Sequence, residues 1–318
     1  KVATGAFVSQ VADENRTFAA GTIVVPAGIQ TTKSWQKILV ELSNQSALEL
    51  VPLNSGLTSQ GIDLGSSSFK LLTQPKVLLV GGHGISQYEA GEIRYYLDET
   101  LAVPLTVIEH SRLAKINLTD YSHVILVNGS YNKVSDKTTE KLKSWIKQGG
   151  VVIGQKRGAK WLAKHEILSA NFASKKQLDQ LFDSEKLSYQ GKEKLAARKR
   201  IAGAIFETEL DITHPLAFGY QQSHLPLFRN STLIMDTGQQ AFITLAKYSA
   251  KPLLSGYTDK NLVNRLAHNA AIVAHNYGKG RVIASSDVLA FRGYWLGSAK
   301  LLANSLFFAK AFSAPVEN

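Results

Sequence analysis

Lys156 and Arg157 stand in the segment Val151–Leu162, VVIGQKRGAKWL, which reads as a buried strand, a turn flanked by Gly154 and Gly158, and a helix. A sharp strand-to-helix turn lifts one side chain clear of a sheet, the layout that displays a nucleophile in many hydrolases. The residue in that place is Lys156. Backbone N–H groups and the positive end of the helix dipole favour anions there. The chemistry on offer is therefore an anion site for a carboxylate or phosphate, of a peptide or a cell-wall fragment. The other reading is structural, with Arg157 held in an ion pair. His83, Ser130, Asp287 and Arg292 complete the candidate crevice, each in a loop that follows a strand or a turn. Ser130 as a nucleophile needs a histidine oriented by a carboxylate, a part His83 can play only from a neighbouring loop.

Other chemistries are excluded or weakened by residue types. The chain has no cysteine, so disulfides, thiolate zinc sites and cysteine nucleophiles are absent. Its eight histidines show neither the i, i+4 pair of a metalloprotease helix nor a His-x-x-Glu. His165-Glu166 diverge on a helix, so no metal ligand is assigned. Gly81-Gly82-His83-Gly84 stands between a strand and a helix, where a phosphate can sit, but fits neither G-x-G-x-x-G nor a P-loop. It reads equally as a tight turn.

The elements that must position these residues follow from periodicity. Lys76–Val80, Leu105–Ile108, Ser122–Val127 and Val151–Ile153 read as short buried strands, with helices over Tyr88–Leu101 and Ser135–Gln148. The order β-α-β-β-α-β predicts an α/β fold with a doubly wound, mainly parallel sheet, and ligands beyond the carboxyl ends of its strands. Further strands are expected at Leu233–Met235, Ala241–Ala246, Ala271–His275 and Gly280–Ser285, and an apolar closing helix at Trp295–Phe312. Before Pro75 the grammar differs: a strand over Thr17–Val25, a helix over Thr32–Ser43 and a Gly/Ser/Asn-rich linker from Asn54 to Ser68. Residues 1–74 are expected to form a small α+β segment, and residues 75–318 the α/β domain.

The 318 residues carry a formal charge of +11, yet residues 1–74 are balanced, so the excess lies beyond them. Lys186, Lys192, Lys194, Arg198, Lys199 and Arg200 are opposed in their run only by Glu193. With few aromatics interleaved, that run reads as a solvated face, and no nucleic-acid partner is expected. No window has the apolar length of a membrane-spanning helix. The chain begins at Lys1 without an initiator Met, which leads us to expect a processed product or excised fragment.

The elbow segment resembles that of class I glutamine amidotransferases, strand, Gly-x-Cys-x-Gly, helix, with Lys156 in place of the nucleophile. Asn128-Gly129-Ser130 is similarly placed to the loop supplying that fold's oxyanion hole, and His214-Pro215 lacks the Glu of the family's His-Pro-Glu. Lysine cannot form the acyl-thioester of glutamine hydrolysis. A longer set of phrases, RTFAAGTIVVPA, PKVLLVGGHG, VILVNGSY, ITHPLAFGY and Gly278–Phe308 in the form YGKGRVI...FRG...G..KLL.N.LFF, resembles the amidotransferase-like domain appended to bacterial zinc carboxypeptidases. That resemblance implies a non-catalytic accessory domain that positions substrate or stabilises a peptidase domain upstream of Lys1. The zinc would be held upstream, with none in this chain, and the parent would be a periplasmic or secreted metallopeptidase acting in proteolysis. The alternative is an independent small-ligand-binding or hydrolytic α/β protein using the crevice near Lys156 and Ser130.

Overall fold

The computed structural model describes residues 1–12, 14–183, 187–238 and 240–316. The chain divides into two compact units, Lys1–Thr73 and Gln74–Asn318.

In the first unit, Phe7–Val11 pairs with Glu14–Phe18 and with Gln60–Gly61, and Val2–Ala3 pairs with Phe69–Lys70. Its small core gathers on Phe7, whose ring stacks on Phe18 at 4.8 Å and meets Phe69 edge-on at 5.4 Å. The expected strand over Thr17–Val25 is shifted: the strand ends at Phe18, and Gly21, at φ 88°, turns the chain. The expected helix lies at Trp35–Ser46 and buries none of its residues. The stretch read as a linker is integrated instead, because Ser59 N–H donates to Val8 O (2.9 Å) and Ile62 N–H to Ala6 O (3.2 Å).

The second unit is an α/β domain on one 11-stranded sheet. Its elements begin with β1 (Val77–Gly81), α1 (Gln87–Tyr95), β2 (Leu105–Glu109) and β3 (His123–Leu126). Then come α2 (Asp136–Lys147), β4 (Val151–Gln155) and α3 (Arg157–Lys164). The later strands are β5 (Ala204–Leu210), β6 (His224–Arg229), β7 (Thr244–Gly256), β8 (Ala270–Tyr277) and β9 (Gly280–Ser285), and α4 (Leu296–Phe307) follows. Nine of its strands run in the order β6-β5-β7-β8-β9-β4-β3-β1-β2, and two short ones lie off that path, Asn171–Phe172 pairing with Met235–Asp236, which in turn pairs with β8. From β9 to β2 every pairing is parallel; from β6 to β9 every pairing is antiparallel.

The parallel half forms because β1, β3 and β4 are apolar on both faces and buried throughout, which suits strands covered on both sides. Its order, β2-β1-β3-β4-β9, reverses direction between β1 and β3. Right-handed crossovers then put α1 on one face and α2 and α3 on the other, the doubly wound arrangement expected from the sequence. Val80, Leu126, Gly154 and Ala284 lie in one register row, so the loops after β1, β3, β4 and β9 leave from the same edge. The antiparallel wing holds β5 and β6, which sequence periodicity had not marked, and its outer strand returns to that edge where Phe228 bridges Val288.

The basic run is partly consumed by packing: Arg198 pairs with Asp259 (2.7 Å), Lys199 with Asp179 (2.8 Å), and both cations lie over the Phe182 ring. Lys186 lies outside the described residues.

Candidate functional site: a closed elbow beside a cationic cavity

Lys156 has φ 50° and ψ −112°, a backbone conformation that a side chain adopts only when its surroundings impose it. Two glycines permit the turn. A Cβ at Gly158 would meet Leu126 O at 2.2 Å, and one at Gly154 would meet Leu162 Cδ1 at 2.7 Å and Ala159 Cα at 2.9 Å. The helix therefore starts hard against β3 and folds back on β4. Lys156 N–H is anchored by Ser285 O of the adjacent strand, at 2.8 Å. The chain thus builds the sharp turn read from the sequence, with Lys156 at its apex.

The displayed side chain is not presented to solvent. Lys156 Nζ lies 2.7 Å from Glu89 Oε1 and 2.7 Å from Asn230 Oδ1, and the lysine and glutamate side chains are 5% and 7% exposed. Glu89 is the third residue of α1, whose N-cap Ser86 accepts from Glu89 N–H. Its second carboxylate oxygen accepts from Asn128 N–H at 3.2 Å. Ser86 N–H donates to Asn128 O (2.8 Å) and Ser130 N–H to Gly84 O (2.9 Å), so the loops after β1 and β3 are laced together around the pair. Nearby Glu92 is pushed above the usual carboxylate range by burial, helped by the Glu89 charge, although the Arg292 N–H on its Oε1 (2.9 Å) and the Lys156 and Arg292 charges pull the other way.

A second network lies under the same edge. Arg229 donates to Asp287 Oδ1 (2.7 Å), to Tyr248 Oη (2.6 Å) and to Leu233 O, while Tyr248 Oη donates to Asp287 Oδ2 and shares a 3.0 Å hydrogen bond with Ser286. The Arg229 and Asp287 side chains are wholly buried. Burial pushes the Asp287 carboxyl above its usual range against the pull of Arg229. Consecutive residues of one strand end, Arg229 and Asn230, thus serve the two networks.

The six expected crevice residues separate accordingly. Ser130 and Arg157 line one cavity of about 670 Å³ together with Lys160, Lys164 and Lys175. Lys156 does not line it, being engaged below with Glu89. Asp287 is the buried partner of Arg229 and does not line it either. Arg292, at φ 51°, lays its guanidinium over Phe291, 5.2 Å from the ring centre. His83 is exposed, and among the described residues no hydrogen bond joins it to Ser130. A serine nucleophile with its base is thus not assembled. His214 caps a short turn, its Nδ1 accepting from Leu216 N–H (3.1 Å) and its ring 4.7 Å from that of Phe312. Among the described residues no three His, Asp or Glu side chains are grouped to hold a metal ion.

Sequence reasoning missed Glu89, Asn230, Arg229 and Tyr248. Ser86-x-x-Glu89 is a helix-start signature, a signal in the sequence that places Glu89 in the first turn of α1 without naming its partner. Arg229 and Asn230 end a strand that periodicity had not marked, and nothing local sets them apart.

No family model and no curated protein matches the chain. Among solved structures it is similar to a GMP synthase protein from Thermoplasma acidophilum, at TM-score 0.46 and 11% identity, over 74% of this chain and 94% of that one. A thuA-like protein from Parabacteroides merdae gives 0.48 and 13%, over 74% and 92%. A cytoplasmic protein from Salmonella typhimurium gives 0.40 and 12%, over 73% and 97%. The likeness is one of fold, and no chemistry passes from those proteins to this chain at such values. The expectation of a zinc carboxypeptidase parent is corrected here: these three structures, a GMP synthase protein and a thuA-like protein among them, are covered over 92–97% of their own length, and none is a zinc carboxypeptidase. Three of the phrases that carried that expectation fall on β1, β3, β9 and α4, where buried strands, glycine turns and an apolar helix face recur for reasons of packing, and the other two lie in the first unit and at the turn of Pro215–Ala217.

Proposed function

We propose that residues 74–318 form a non-catalytic, small-ligand-binding domain of amidotransferase-like architecture, in which the crevice beside Ser130 and Arg157 receives an anionic ligand. The observation that carries this reading is the closure of the elbow. The apex residue is a lysine whose ammonium is tied to Glu89 and Asn230, so the apex itself offers no thiol, hydroxyl or free amine to attack a carbonyl. The switch point between β1 and β3 still provides the open edge at which doubly wound sheets bind ligands. Beside that edge, between the loop after β3 and helix α3, a cavity is lined by four cationic side chains and no carboxylate.

The test is turnover by the full chain. Glutamine, simple esters and short peptides are offered as substrates, and a serine-directed fluorophosphonate as a label. The expected result is no hydrolysis above the buffer rate and no labelling. Hydrolysis that disappears in Ser130→Ala would overturn the reading.

A further inference from the structure

Arg157, Lys160 and Lys164 fall at i, i+3 and i+7 of α3, so they share one face and span about 10 Å along the axis. All three line the 670 Å³ cavity, and Lys175 faces them from the segment that closes its other side. Each of the four is exposed, and none makes an ion pair or side-chain hydrogen bond among the described residues. The same wall presents the Ser130 hydroxyl and the amides of Asn132 and Asn171. The volume suits a molecule of several tens of heavy atoms at most. Four like charges around one concavity repel one another, a cost that an anion removes on binding.

From this row we infer that the cavity is a site for an extended small polyanion, one carrying two or three phosphoryl or carboxylate groups several ångströms apart. This rests on the binding reading above and names its ligand class. A single carboxylate can satisfy only one end of a 10 Å row, whereas separated charges engage both ends of α3 and Lys175 together. The local field agrees with the geometry: His165, whose ring lies 4.7 Å from that of Trp161 in the cavity wall, is held below the ordinary histidine value by burial and then by Lys164 and Lys143, against Asp136 and Glu140. The site is distinct from the elbow ion pair, yet its wall includes Thr232 and Leu233, in the loop that also carries Asn230 to Lys156.

Calorimetric titration of the full chain with tripolyphosphate, citrate and acetate tests the inference. Tripolyphosphate or citrate should bind, acetate should not, and binding should weaken as ionic strength rises. The tighter of the two names the charged group of the ligand. Lys160→Glu with Lys175→Glu should weaken binding by at least about tenfold, and Lys251→Glu, an exposed charge outside the cavity wall, by less than about twofold. A second pair, Lys160→Gln with Lys175→Gln, should give the same direction if the charge-reversed protein unfolds. Absence of polyanion binding, equal binding of acetate, or binding that survives loss of both lysines would overturn the inference. None of those outcomes bears on the hydrolysis assay, which tests the closed elbow separately.

Discussion

The two buried ion pairs at the carboxyl edge of the sheet look alike in distance and differ in what they hold. Arg229–Asp287, at 2.7 Å with both side chains wholly buried, is surrounded by Tyr248 and Ser286 and ties the end of β6 to the loop after β9. Lys156–Glu89, also 2.7 Å, has a few per cent of its surface in contact with solvent and sits at a strained turn. The first pair joins the antiparallel wing to the parallel core. The second stoppers the apex of an elbow whose backbone is of the kind that serves catalysis in other folds. A buried pair of charges thus fastens two parts of the sheet in one place and occupies the apex of a strained turn in the other, and only the backbone at the charged residue tells them apart.

The sharpest way to break this comparison is Asp287→Ala. It leaves Arg229 buried without its counter-charge and should cost about 3–5 kcal/mol in urea unfolding. A loss under about 1 kcal/mol would mean that the wing is not fastened there. Glu89→Ala should cost less, about 2–3 kcal/mol, because Lys156 retains Asn230 and some water. Glu89→Gln combined with Lys156→Met removes both charges and should restore most of that loss. If the double variant is as unstable as Glu89→Ala, strain and not charge dominates at the elbow.

Acid unfolding separates the ion pairs from the histidines. Burial pushes His123 and His214 each down to about 4, so between pH 6.5 and 4 the unfolded chain takes up protons that the native chain refuses. Their contribution to stability is complete above about pH 6.5 and is lost as the pH falls toward 4, by roughly 3 kcal/mol each. Asp287, raised by burial, contributes with the opposite sign and cannot produce that loss. Replacing both histidines with asparagine should flatten stability against pH over this window, read from urea midpoints, while Asp287→Asn should not. The smallest effect is expected from Ser86→Ala, which removes the cap of α1 and should cost about 1 kcal/mol. Since Glu89 stands in that first turn, the cost should shrink in a Glu89→Gln background.

Much of this edge was legible in the residues. The β1, β3 and β4 runs, the glycines at 154 and 158 and the helix-start signature at Ser86 each act over a few positions, where steric and capping preferences are decided locally. Gly158 is readable because a helix beginning against a neighbouring carbonyl has no room for a Cβ. The wing was less legible: β5 has a short alternating pattern, β6 carries Pro226, and β7 is irregular opposite β5 and β8. Such strands are stabilised by their neighbours more than by intrinsic preference.

The sequence alone determined that Lys156 stands at the apex of a strand-to-helix turn in an α/β sheet, since both glycines and the flanking periodicity lie within twelve residues of it. The tertiary structure decided what that lysine does. Its partners Glu89 and Asn230 are 67 and 74 positions away, brought in by the crossover that reverses strand order between β1 and β3 and by the return of β6 to the carboxyl edge. Which charges meet across such distances depends on how whole strands stack and curl, and no local pattern of residues records it.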